Sequence, residues 1–183
     1  MNRAMDDVII TAMNASASTG VAGGTSTALP STQKFATSDQ SDGLTVAKLL
    51  AAKKNFDDND IDPSRKRFIV CGPQQISDLL GTTEVKSSDY NTVKALAQGD
   101  INSFLGFEFI MSTRLSMDAT NTDDRLVFAY TNDAIKLAIG SDIKANISER
   151  ADKSYSTQVY YAMSLGAVRM EEKAVYQIPC HEA

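Results

Sequence analysis

Few residues in this chain have the types and spacing that chemistry demands. The sequence holds one histidine, His181, directly after Cys180. Adjacent side chains do not give the spacing that closes on a zinc ion. A triad or metal centre built on a lone imidazole would have to use the last few residues, which read as an exposed, frayed tail. The other thiol, Cys71, ends the apolar run Phe68–Cys71 and reads as a small buried hydrophobe. Carboxylates occur in pairs, Asp6-Asp7, Asp123-Asp124 and Glu171-Glu172. All three pairs fall on expected exposed faces or turns. Adjacent positions on a helix point to different sides, so none makes an acid/base dyad.

Two richer clusters also fail on spacing. In the acidic stretch Asp57–Pro63, a calcium loop starting at Asp58 would place Asp58, Asp60 and Asp62 at its first three ligand positions. Pro63 then stands where the loop requires glycine, and Ile69 where it requires glutamate. The stretch reads as a solvated acidic turn. Gly20, Gly23 and Gly24 follow a helix instead of joining strand to helix, and no lysine completes a phosphate loop. Gly72 stands alone after the Phe68 strand, so there is no dinucleotide fingerprint. Tyr155, Tyr160, Tyr161 and Tyr176 offer flat faces on which bases can stack. In an acidic chain, sheet packing or a subunit contact is the better use for them. The residues therefore assign no catalytic side chain, no cofactor-binding side chain and no metal ligand, and imply no cofactor.

Composition narrows the class. The chain has 183 residues, 43% hydrophobic and 22% charged, the balance of an ordinary globular protein of one domain or two small ones. Its 18 basic and 23 acidic side chains give a formal net charge of -5, against a dedicated nucleic-acid binder. Two cysteines make no disulfide framework, and a reducing compartment is the simpler expectation. No apolar run is long enough to cross a membrane as a helix. Arg3 is not followed by a long apolar stretch, so no signal peptide is expected.

The elements are legible from periodicity. Met5, Val8, Ile9, Ala12 and Met13 fall on one helical face, which predicts a helix over residues 3–14, already in full stride at its start. Residues 15–43 are rich in Ser, Thr, Gly and Ala and read as a flexible connector. Residues 45–56 form a second helix with Val46, Leu49 and Leu50 inward and Lys48, Lys53 and Lys54 in solvent. Phe68–Cys71 is a buried strand, and Pro73 opens a helix that presents Ile76, Leu79 and Leu80 and stops at a left-handed Gly81. A third helix is expected from Ser87 or Ser88 to Gln98. Leu105-Gly106 is a turn before the strand Phe107–Met111, whose apolar face carries Phe107, Phe109 and Met111. Residues 116–124 are an exposed loop and Arg125–Tyr130 another strand. From Ala134 the pattern changes to consecutive antiparallel strands, a meander with joints at Gly140-Ser141, Ala151–Ser154 and Glu171–Lys173, and with Gly166 as a bulge or bend.

Taken in order, these phrases carry a family likeness. RFIVCGPQQISDLL, then SSDYNTVKALAQGDINSFLGFEFIMSTRL, then GAVRMEEKAVYQIPC resemble the major capsid proteins of tailed double-stranded DNA phages, with the Hong Kong 97-type coat fold. The likeness runs from Arg3 through the R-x-x-V-x-x-P-x-x-x-x-x-L segment at Arg67–Leu79 and the G-F-x-x-x-x-S segment at Gly106–Ser112. It closes on the G-A-x-R-M-E-E-K segment at Gly166–Lys173. No single piece is specific; the ordered set is.

The resemblance implies an α+β subunit. Residues 1–43 would be the end of a long spine helix plus a connector, 44–132 an axial domain of mixed sheet and helices, and 133–183 the β-hairpins of a peripheral domain. It also implies that the chain looks like an N-terminally truncated fragment, lacking the arm and extended loop that precede that helix. The expected role is a non-enzymatic structural subunit of a phage or prophage capsid, self-assembling around packaged DNA. A shell of a non-viral nanocompartment or another virion part on the same fold is the alternative, and a hydrolytic α/β enzyme a distant one. Expected partners are copies of itself in hexamers and pentamers, with scaffolding and portal proteins. No specific nucleic-acid sequence and no membrane are expected. The expected place is the virion capsid, after synthesis in the bacterial host cytoplasm.

Overall fold

The computed structural model describes residues 2–35, 42–82, 103–119 and 121–182. The helix expected from Ser87 or Ser88 to Gln98 lies outside them. Helix α1 spans Asn2–Asn14 and buries Ile10 and Met13. It is followed by a small antiparallel pair, β1 (Ala17–Thr19) and β2 (Thr25–Thr27). Helix α2 is Val46–Asp58, capped by the Thr45 hydroxyl, which accepts from the Lys48 amide. Strand β3 (Arg67–Cys71) and helix α3 (Pro73–Gly81) come next, then β4 (Ser103–Phe104), β5 (Phe107–Met111) and β6 (Asp124–Thr131). The long strands β7 (Ile135–Arg150) and β8 (Ser156–Arg169) precede a closing strand, β9 (Val175–His181).

A five-stranded sheet in the order β4-β5-β3-β6-β9 is the centre of the molecule. β3 and β5 run parallel, while β6 is antiparallel to both β3 and β9. The two-residue link Leu105-Gly106 has positive φ at both positions, 54° and 86°, as a type I′ hairpin turn requires. One sheet face receives α2. Phe56 and Phe107, both fully buried, meet there with ring centroids 6.1 Å apart, and the Arg67 guanidinium lies over the Phe56 ring. The opposite face, with Val70, Ile110 and Tyr130, borders α1 at Ile9, Ile10 and Met13 across a groove of about 200 Å³. α3 starts where its sequence says, with Gly72 as cap and Pro73 as first residue. The Gln75 side-chain oxygen accepts from the Gly72 amide at 3.0 Å, and a Cβ at Gly72 would sit 2.5 Å from that oxygen. A side chain there would have to displace the Gln75 amide and break that bond.

Several expectations are corrected. The connector is not uniformly unstructured: β1 and β2 pair within it, and Ala17, Leu29 and Gln33 are buried. Gly81 does not end α3 in a left-handed conformation; Thr82 is extended and its hydroxyl donates to the Leu79 carbonyl at 2.7 Å. Met111, read as part of an apolar inner face, is 67% exposed because its position lies at the end of β5. Gly140-Ser141 is not a joint between strands. β7 runs through it, with register shifts at Gly140 and again before Lys144, whereas Gly166 pairs regularly with Ala138. A glycine that admits a turn also admits a bulge, and local sequence does not separate the two. The meander is one long hairpin, because β9 leaves it to pair with β6.

Candidate functional site

The residues with chemical potential are distributed as structural parts. Cys71 and Cys180 are free and fully buried, and burial pushes each thiol up to about 12. Such thiols carry little thiolate and are poor nucleophiles. His181 is not a frayed tail. It ends β9 opposite Asp124, with its Nδ1 3.3 Å from the Asp124 carboxylate and its amide donating to the Asp42 carbonyl. The acidic turn is also tied down: Asp57 closes an ion pair with Arg67 at 2.7 Å, and the Asp62 carboxylate accepts from the Ser64 amide. Among the described residues, no three His, Cys, Asp or Glu side chains converge as metal ligands. The four tyrosines do not form one platform, since Tyr176 is buried in β9 while Tyr155, Tyr160 and Tyr161 stand exposed on the hairpin.

Lys48, read as solvated, is buried at 4% exposure. Its ammonium donates to the Asp42 carbonyl at 2.7 Å and to the Pro179 carbonyl at 2.9 Å, joining α2 to β9. Leu50, read as inward, is 48% exposed. The signal was in the spacing: Lys48, Ala52 and Phe56 share one helix row, and that row faces the sheet. A second polar tie uses Arg125. Its guanidinium forks onto Glu182, which also accepts from the Gln75 amide at 2.8 Å. Hydrogen bonding from Arg125 holds the Glu182 carboxyl below the usual glutamate range.

The third tie reaches furthest. Arg169, at the end of β8, is 4% exposed. Its Nη1 donates to the Met13 carbonyl at 3.0 Å and to the Ala15 carbonyl at 2.9 Å, and its Nη2 to the Thr27 carbonyl at 3.2 Å. The carbonyls at the end of a helix lack partners within it and carry its partial negative charge. Arg169 satisfies them from across the chain. Sequence reading missed this role. On β8 the residues Val159, Tyr161, Met163, Leu165, Ala167 and Arg169 alternate onto one face, so a cation at the end of an apolar register was the available signal.

That face is apolar along much of the strand. Near its base it receives α1, with Ala167 and Gly166 beside Val8, Thr11 and Ala12. Beyond the helix it continues without cover from any other described element. Ile147 pairs with Val159 and Ala145 with Tyr161, and Ile147, Val159 and Tyr161 are 68%, 52% and 56% exposed. The other face carries the polar Lys144, Asn146, Ser148, Gln158 and Ser156, with Tyr160 and Ala162 among them. With 16 and 14 residues in its strands, the hairpin reaches roughly 50 Å.

Comparison with known proteins gives this arrangement a context. A family model described as phage capsid protein matches residues 1–182. No curated protein matches the chain. Among solved structures, that of Mycobacterium phage Che8 superposes with a TM-score of 0.67 at 16% identity, over 97% of this chain and 59% of that one. The capsid asymmetric unit of cyanophage Pam1 gives 0.69 at 14%, over 98% and 65%. The capsid of Helicobacter pylori bacteriophage KHP30 gives 0.70 at 11%, over 99% and 66%. The chain thus spans about two thirds or less of the length of these structures. Identities so low speak to the fold, and the fold is the α+β architecture expected of Hong Kong 97-type coat proteins. With a central sheet, a helix laid along a long hairpin, and a family match that runs nearly end to end, the chain belongs to the phage capsid protein family.

Proposed function

We propose that the chain is a structural subunit of a phage or prophage capsid shell, working by self-association and not by turnover. The carrying observation is the apolar hairpin face at Ile147, Val159 and Tyr161, which runs on beyond α1 exposed, with no other described element over it. A two-stranded ribbon alone in water is marginally stable, and exposed apolar patches of this kind mark contact surfaces. In a shell every subunit meets others through repeated complementary surfaces, and a stable contact buries upwards of roughly 1,000 Å². The family match supports other copies of the chain as what covers this face.

Hexamers and pentamers around packaged DNA are the assemblies this reading entails. Scaffolding and portal proteins are further partners, and synthesis in the bacterial host cytoplasm precedes residence in the virion. Within the subunit, residues 44–132 would form the axial part and residues 1–43 with 133–183 the peripheral part, except that β9 pairs with β6 and so would go with the axial sheet. The test is production from the complete gene, followed by sedimentation and electron microscopy. Closed particles of uniform size are expected. A protein that stays monomeric at every concentration and is missing from purified virions overturns the reading.

A further inference from the structure

Both chain crossings between the long hairpin and the central sheet lie at one corner, at residues 132–135 and 169–175. The ion pairs there are loose. Arg65 lies 3.9 Å from Asp133 and 3.5 Å from Glu171, Lys136 lies 3.8 Å from Asp133, and Arg169 lies 3.7 Å from Glu172. By contrast Arg67 and Asp57 are at 2.7 Å.

The Arg169–Glu172 pair differs from the others at this corner, because it leaves matching groups without partners inside the protein. A guanidinium has five N–H donors. Nη1 uses both of its own on Met13 and Ala15, and Nη2 uses one on Thr27. Nε is buried with no partner, and so is the Glu172 Oε1 atom. A carboxylate binds the edge of a guanidinium through Nε and Nη2, side-on and bidentate. Those are the donors Arg169 has left. Closing the gap from 3.7 Å to hydrogen-bond length, about 2.8 Å, requires a shift of roughly 1 Å by the short helical turn Glu172–Ala174. The Glu172 side chain is 28% exposed, so it can move without displacing packed core.

We propose that Glu172 is a strap poised to close on Arg169. The corner alternates between the open arrangement and a closed side-on pair, and the closed pair locks the α1 terminus and the β1–β2 hairpin onto β8. Buried, unpaired polar groups are costly, which gives the closed state its advantage. The half-buried Glu172 carboxylate opposes closure through the conformational freedom and hydration that its exposed part retains. Closure retains all three carbonyl contacts of Arg169, so it tightens an existing joint and does not rebuild it. This device is independent of the shell role proposed above and is tested on the chain alone.

The experiment compares Glu172→Gln with Glu171→Gln, the neighbouring carboxylate that faces Arg65. The readouts are amide hydrogen exchange in the last turn of α1 and the NMR signal of the Arg169 Nε–H. Glu172→Gln should speed exchange at residues 10–14 by about threefold to tenfold and speed loss of the Nε–H signal alike. Glu171→Gln should leave both within about twofold. Raising salt should reproduce part of the Glu172→Gln effect in the native chain and none in the variant. Unchanged exchange in Glu172→Gln overturns the proposal, as does an equal effect from Glu171→Gln, which would mark a general field effect.

Discussion

Arg169 donates a hydrogen bond to the backbone carbonyl of Met13 at 3.0 Å, across 156 positions of sequence. The last strand of the long hairpin thereby supplies the cap that α1 does not encode for itself. Removing the cation takes this donor from the buried Met13 carbonyl and from the half-buried Thr27 carbonyl.

Arg169→Ala should therefore destabilise the chain by about 3 kcal/mol or more, since several charge-assisted bonds go and their acceptors stay buried. Arg169→Lys keeps the charge but not the planar fork and should recover only part of that loss. Urea unfolding followed by circular dichroism reads both. A loss under about 1 kcal/mol for the alanine variant would show that the helix end is solvated in solution.

Lys48→Met retains the apolar stem and removes two hydrogen bonds to buried or half-buried carbonyls. A loss of about 2 kcal/mol is expected. Lys53→Met, on the exposed side of the same helix, should stay within about 0.5 kcal/mol of the native chain. Thermal unfolding of the two variants side by side decides whether the burial of one lysine and not the other is what matters.

Acid should loosen the junction of α3, β6 and the chain after β9. The Glu182 carboxyl is held below its ordinary value of 4.5, chiefly by hydrogen bonding from Arg125. A depressed carboxyl stabilises the fold at neutral pH, and that contribution is lost as pH falls below 4.5 toward the folded value. Asp78 shifts the opposite way, raised mainly by desolvation, so it partly offsets the loss. Glu182→Gln should be less stable at pH 7 and show a flatter decline in stability below the ordinary glutamate value. Equal acid profiles for variant and native chain would remove Glu182 from the account.

Ile147→Lys and Tyr161→Lys lie on the uncovered hairpin face, where the native side chains are 68% and 56% exposed. Folding stability should change by no more than about 0.5 kcal/mol, while association into larger species falls sharply. Sedimentation velocity across a concentration series measures the second effect. Particle formation at the native yield by both variants would place the contacts elsewhere.

Much of the sheet and of α1–α3 was legible because each is a local pattern. The helix at residues 45–56, the apolar run at Phe68–Cys71 and the Gly72-Pro73 start each declare their element within a few residues. The inward face of that helix was misplaced: Leu49 is buried but Leu50 is exposed, and Lys48 was misread because residue type was allowed to outweigh its place in the row with Ala52 and Phe56. The partner of β9 was not legible. Strand pairing is set by contacts distant in sequence, and Val175–Cys180 alternates equally well beside β8 or beside β6. The chemistry of Arg169 was hidden for the same reason: its partners lie on α1 and β2, which no local window contains. Cys71 was read correctly as a buried hydrophobe because the apolar run itself supplied the argument.

β6 and β9 are hydrogen-bonded neighbours in one sheet, yet the whole β7–β8 hairpin lies between them in sequence. The chain leaves the sheet and returns to it side by side. The hairpin is therefore an insertion whose size is decoupled from the sheet: adding or deleting one cross-strand residue pair on the far side of Ile147 moves the tip by about 3.4 Å and leaves every sheet register as it was. Reach is an adjustable dimension of this chain. A lineage, or an engineer, can change how far the hairpin extends without re-solving the folding of the core.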